Sequence, residues 1–134
     1  MTPKEPNFYV LGLGSNFLPE QNLMQGRKAL LSSYNTIRFS TVEETTPVGV
    51  KLKNVPNYWN QLAFLYTSDP LNEVIRVGKE IEKSVGRTKE KQLLGLVPLD
   101  IDVIGYEDQI LKPEDWNRPD VQRALKELKE KENI

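Results

Sequence analysis

Residues 99–102 read Leu-Asp-Ile-Asp, inside the apolar run Val97 to Ile104. Side chains alternate along a strand, so Asp100 and Asp102 share one face while Leu99, Ile101 and Val103 fill the other. Two neighbouring carboxylates repel. Inside a domain they are costly unless a cation joins them. Mg²⁺ suits that role, because it commonly binds one or two carboxylates together with phosphate oxygens. The other reading is a face open to water. Gly12-Leu13-Gly14-Ser15-Asn16 follows an apolar run and reads as a tight turn or a phosphate loop, though it is neither G-x-G-x-x-G nor G-x-x-x-x-G-K-[ST]. Thr45-Thr46-Pro47-Val48-Gly49 and Pro56-Asn57-Tyr58-Trp59-Asn60-Gln61 bring rings and side-chain amides that could stack on and hydrogen-bond a flat heterocycle. Tyr58 and Trp59 point to opposite faces, which leaves one of them for the core. Ile81-Glu82, Gly86-Arg87 and Lys89 form a charged helix end, suited either to phosphates or to a solvated cap.

Composition narrows the chemistry further. The 134 residues include no cysteine and no histidine, which excludes disulfides, thiolate or imidazole zinc sites, a cysteine nucleophile and a Ser-His-Asp triad. Any metal must sit on oxygen ligands. Eighteen basic residues against nineteen acidic ones leave a formal charge of −1, not the basic footprint of a nucleic-acid binder. No apolar stretch is long enough to span a bilayer and the start lacks a signal-like apolar region. The expectation is one soluble, cytoplasmic domain over residues 1–134, with no nucleic-acid or membrane partner. The sequence does not set an oligomeric state.

These residues need elements to position them. Phe8 to Gly14 reads as a buried strand, and Pro19-Glu20 opens a helix that ends near Ser32-Ser33. Thr36 to Thr46 alternates as one strand, and Tyr58 to Thr67 as the next. Ser68-Asp69-Pro70 starts a helix whose apolar positions run from Leu71 to Val85, and Gly86 ends it. Thr88 to Gly95 reads as a polar loop flanked by hinge-like glycines. Val97 to Ile104 is the last strong strand, and Gly105 to Asp108 is a turn. Pro119 to Ile134 is a charged helix with Val121, Ala124, Leu125 and Leu128 on its apolar stripe. The order βαββαβ predicts an α+β, ferredoxin-like domain: a four-stranded antiparallel sheet with helices on one face, plus a C-terminal helix. Its central strands would be the first and third, Phe8–Gly14 and Tyr58–Thr67.

From Phe8 to Ile104 the pieces, in order and spacing, resemble the 6-hydroxymethyl-7,8-dihydropterin pyrophosphokinase family. Gly14-Ser15-Asn16 matches its G-S-N, Thr45-Thr46-Pro47-Val48-Gly49 its T-x-P-[LV]-G, and Pro56-Asn57-Tyr58-Trp59-Asn60 its P-x-[YF]-x-N. Ile81-Glu82 through Gly86-Arg87 matches I-E-x(3)-G-R, and Leu99-Asp100-Ile101-Asp102 matches L-D-[LI]-D. The resemblance implies a ferredoxin-like fold and transfer of pyrophosphate from ATP to the hydroxymethylpterin of folate biosynthesis. It implies Asp100 and Asp102 as holders of two Mg²⁺ ions with ATP, and Thr45, Pro47, Val48, Tyr58 and Asn60 as the pterin pocket. Glu82, Lys79, Arg87 and Lys89 would serve the nucleotide, with Arg87 and Lys89 also supporting transfer. The chain departs from the pattern where Leu93, Leu94 and Val97 replace Arg, Trp and Arg, and where Lys79 replaces Gln. The alternative is thus a divergent homologue that binds a pterin or nucleotide with weak or no transfer activity. A ferredoxin-like interaction or RNA-binding module is the reading the balanced charge disfavours.

Overall fold

A computed structural model describes residues 5–47 and 55–132. The elements are β1 (Asn7–Ser15), α1 (Pro19–Ser33), β2 (Thr36–Phe39), β3 (Glu43–Thr45), β4 (Tyr58–Thr67) and α2 (Leu71–Ser84). They continue with α3 (Lys89–Leu93), β5 (Asp100–Tyr106), β6 (Gln109–Ile110), α4 (Pro113–Trp116) and α5 (Pro119–Glu132). The sheet runs β2-β4-β1-β5-β6, with β3 also on β4, and its pairings are antiparallel. The α+β class and the central position of β1 and β4 follow the sequence reading.

The strand number does not: among the described residues the sheet has six strands, not four. The expected strand Thr36 to Thr46 is cut at Ser40. The Ser40 hydroxyl accepts from the Leu62 amide at 2.9 Å, and the Ser40 carbonyl accepts from the Gln61 side chain at 2.6 Å. A side chain thereby takes a place that a backbone carbonyl holds in a regular ladder. Two residues after the Glu107-Asp108 turn add the short β6, which pairs Ile110 with Gly105. The last long strand also starts later than Val97. Both backbone groups of Val97 are taken by Asn16, and Pro98 has no N–H to give. The expected loop Thr88 to Gly95 holds one helical turn, because Thr88 caps it by accepting from the Lys91 amide. The second long helix starts at Leu71, with Pro70 at its cap position and no side-chain cap bond from Ser68 or Asp69.

Alternation splits the core into two layers. Tyr9, Leu11, Leu13, Ala63, Leu65, Ile101 and Val103 pack under Leu23 and Leu30 of α1 and Val74 and Ile81 of α2. Val10, Leu62, Phe64 and Ile104 face the other way and pack against Val121, Leu125 and Leu128 of α5. Thus α1 and α2 share one face as expected, while the C-terminal helix covers the opposite one. It covers only part of that face. The uncovered end of β1, β4 and β5 is where the candidate residues meet.

Candidate active site

A cleft of about 860 Å³ opens on the α5 side of the sheet. Its floor is β1. Gly14 lies between Asn60 on β4 and Asp100 on β5, and Gly12 between Leu62 and Asp102. These glycines are strand residues, not the turn or phosphate loop that their sequence suggested. Their role is space: a Cβ on Gly14 would sit 3.2 Å from the Asn60 Oδ1 and 3.7 Å from the Tyr58 ring. Without one, a flat trough runs between the two neighbouring strands.

One wall is polar and aromatic. Tyr58 and Asn60 project into the cleft, and the Asn60 side-chain amide donates to the Thr45 hydroxyl at 2.6 Å. That bond orients the Asn60 carbonyl toward the floor. Thr45, Thr46 and Pro47 complete this wall. Val48 lies outside the described residues. Trp59 takes the opposite face, packing against the α1–α2 layer while its indole N–H donates to Glu44. Burial and the Asp100 charge raise the Tyr58 pKa, against a smaller effect of Arg87, so its hydroxyl stays protonated at neutral pH.

The other wall is β5. Asp100 and Asp102 share the cleft face, as alternation predicted, and each already has a basic partner. Arg87 Nη1 lies 2.8 Å from Asp100 Oδ1 and 3.2 Å from Glu82 Oε1. Lys112 Nζ lies 3.0 Å from Asp102 Oδ1. Glu82 is fixed in turn, because its carboxylate accepts from the Ile101 amide at 2.8 Å. The glycine at 78 allows this: α2 approaches so near that a Cβ there would be 3.2 Å from the Ile101 side chain. Burial, then the hydrogen bond and charge of Asp102, push the Asp100 pKa up to about 7 despite Arg87. Burial also acts on Asp102, yet the bond from Asp100 and the Lys112 ammonium together draw its pKa below the ordinary value. Each carboxylate therefore makes ionisation of the other more costly.

This donor set fits a divalent cation that brings further ligands with it. Two carboxylates share a face in a partly buried site, and full ionisation of both is unfavourable without added positive charge. Among the described residues no cluster of three or more acidic side chains could cage an ion alone. Remaining ligands would have to be phosphate oxygens and water, which is the usual habit of Mg²⁺.

Of the other expected residues, Glu82 and Arg87 stand behind Asp100, with Arg87 paired to both carboxylates. Lys79 and Lys89 are exposed on α2 and α3 and do not line the cleft. Two contributors escaped the sequence reading. Asn16 was read as part of a turn and of the Gly14-Ser15-Asn16 match, with no role of its own. Its side chain donates to the Gly95 carbonyl at 2.7 Å and accepts from the Val97 amide at 2.6 Å, fixing the approach to β5. Lys112 gave no signal, because nothing in its neighbourhood shows that the chain folds back beside Asp102.

Among the described residues no helix is long and apolar enough to cross a membrane. The sequence pattern of the 7,8-dihydro-6-hydroxymethylpterin-pyrophosphokinase family matches residues 10–130. A folate synthesis bifunctional protein of Arabidopsis thaliana is 31% identical over 135 residues, covering 93% of this chain and 28% of that protein. The chain therefore spans less than a third of that relative's length.

Proposed function

Because the chain belongs to the 7,8-dihydro-6-hydroxymethylpterin-pyrophosphokinase family, we propose that it transfers pyrophosphate from ATP to the hydroxymethyl group of 6-hydroxymethyl-7,8-dihydropterin. The observation that carries this reading is the glycine-floored trough, with Tyr58 and Asn60 along one side and Asp100 and Asp102 along the other. A flat bicyclic ring lies over Gly14 against Tyr58. The Asn60 carbonyl, held by Thr45, accepts from the N–H groups on the ring edge, and Pro47 closes the pocket. The hydroxymethyl arm then points across β1 toward β5.

In the transfer, the hydroxymethyl oxygen forms a bond to the β-phosphorus of ATP. The bond from that phosphorus to the oxygen bridging the α-phosphate breaks, AMP leaves, and the hydroxyl proton passes to water. Reactions of this kind depend on alignment and charge neutralisation more than on covalent chemistry by the protein. Asp100 and Asp102 would hold Mg²⁺, two ions with ATP, which supply neutralising charge along the phosphates. Arg87 and Glu82 keep Asp100 at its place on the wall. Lys79 and Lys89, exposed on α2 and α3 outside the cleft, have no part in this arrangement. The polar wall needs no histidine, in keeping with a chain that has none.

Titration calorimetry with the dihydropterin and a non-hydrolysable ATP analogue in Mg²⁺ tests the pocket. Asn60→Ala should weaken pterin binding by about tenfold, the loss of a hydrogen-bonded contact whose partner is left unpaired. Equal pterin affinity in the two proteins would remove Asn60 from the pocket, and absence of pterin heat in the unmodified chain would overturn the reading.

A further inference from the structure

Beyond the carboxylate pair the cleft turns acidic, which is a poor setting for a polyphosphate. Glu43, Glu114, Asp120 and Glu127 line it with Arg118 and Arg123. Both arginines are already committed. Arg118 bonds Asp120 through two nitrogens, each at 3.1 Å, and Arg123 Nε donates to Glu43 at 2.9 Å. Arg87 keeps Glu82 whatever happens to Asp100. Lys112 differs from all three, because the carboxylate it holds is Asp102.

The backbone of Lys112 is well fixed beside β5. The Leu111 amide donates to the Ile104 carbonyl at 2.9 Å, and the Trp116 amide to the Lys112 carbonyl at 2.9 Å. The Trp116 ring lies over Gly105, so close that a Cβ there would be 2.9 Å from its Cζ3. The Lys112 side chain is 46% exposed beyond this anchor. A lysine is a compact charge on a flexible four-carbon stem, so it can change partners without backbone movement.

Resting on the reading of Asp100 and Asp102 as the metal-holding pair, we propose that Lys112 is a phosphate-binding residue. It sits on Asp102 when no metal is there, and turns to the phosphate oxygens of the nucleotide once Asp102 is given over to a divalent cation. The ammonium competes with the metal for one carboxylate, then contributes to holding what the metal brings. In this way the chain has a mobile cation beside the phosphates, where the arginines that line the cleft are tied to its own carboxylates.

The two roles give effects of opposite sign, which a purely structural lysine cannot produce. Lys112→Met keeps the stem and removes the charge. It should tighten binding of Mn²⁺ alone by about fivefold, since a unit charge some 4 Å from a divalent ion opposes it even in water. It should weaken binding of a Mg²⁺-complexed, non-hydrolysable ATP analogue by about tenfold, the scale of one charge-assisted hydrogen bond. Lys112→Arg should restore both affinities toward those of the unmodified chain. Calorimetry of each ligand, with circular dichroism to establish folding, reads the result. Any other pattern, whether both affinities falling together, only one moving or neither moving, overturns the assignment. Asp102→Asn separates this failure from that of the underlying reading: if it binds Mn²⁺ and the analogue as the unmodified chain does, the metal pair itself is wrong.

Discussion

Asp100→Asn removes a carboxylate that this fold ionises only at a cost. Its folded pKa is pushed up to about 7, first by burial and then by Asp102, whereas in the unfolded chain such a group ionises near 4. Between those values the folded protein holds a proton that the unfolded chain has released. The stabilisation is therefore complete below about pH 4 and is lost as pH rises through about 7. The side chain is 36% exposed, and solvent screening at such a site limits the loss to about 1–2 kcal/mol. The substitution strands neither basic partner, because Arg87 retains Glu82 and Lys112 retains Asp102. With no histidine in the chain, no side chain of ordinary pKa titrates between pH 5 and 8 to obscure the effect. Urea denaturation in EDTA, followed by tryptophan fluorescence at pH 5, 6.5 and 8, is the assay. The Asn variant should be only slightly ahead at pH 5, and at pH 8 it should be the more stable by about 1–2 kcal/mol, roughly 3–6 °C in Tm at this chain length. Parallel stability curves from pH 5 to 8 would refute the claim that the pair is under charge strain.

Two further perturbations separate the floor of the cleft from its support. Gly14→Ala places a methyl 3.2 Å from Asn60 Oδ1. Calorimetric pterin affinity should fall about tenfold while thermal stability moves by less than about 1 kcal/mol, since Ala is no worse than Gly inside a strand. Asn16→Ala leaves the buried Val97 amide without its acceptor. It should cost about 1–3 kcal/mol in urea denaturation, with faster hydrogen exchange at the Val97 amide.

The wall residues were legible because strand alternation is rigid. Asp100 and Asp102 had to share a face, and Tyr58 and Asn60 had to share one opposite Trp59. The long helices α2 and α5 were legible from the spacing of Leu71, Val74, Ile75 and Ile81 and from that of Val121, Leu125 and Leu128. Other features depend on contacts distant in sequence. Gly12 and Gly14 look like turn residues until they are paired with β4 and β5. Ser40 looks like one more β-compatible residue until its hydroxyl meets the Leu62 amide. Thr88 becomes a helix cap only through its bond to Lys91. Lys112 reaches Asp102 because Trp116 docks on Gly105, a fit that local periodicity does not encode. The second core layer was hidden for a similar reason, since an amphipathic C-terminal helix can lie on either face of a sheet.

The central claim is pyrophosphoryl transfer, and the nucleotide product reports on it directly. Purified protein with ATP, Mg²⁺ and 6-hydroxymethyl-7,8-dihydropterin should release AMP, in amounts matching the pterin diphosphate formed. Omitting the pterin, chelating the metal or introducing Asp102→Ala should abolish that release. Release of ADP in place of AMP, or AMP that appears equally without the pterin, would contradict the account.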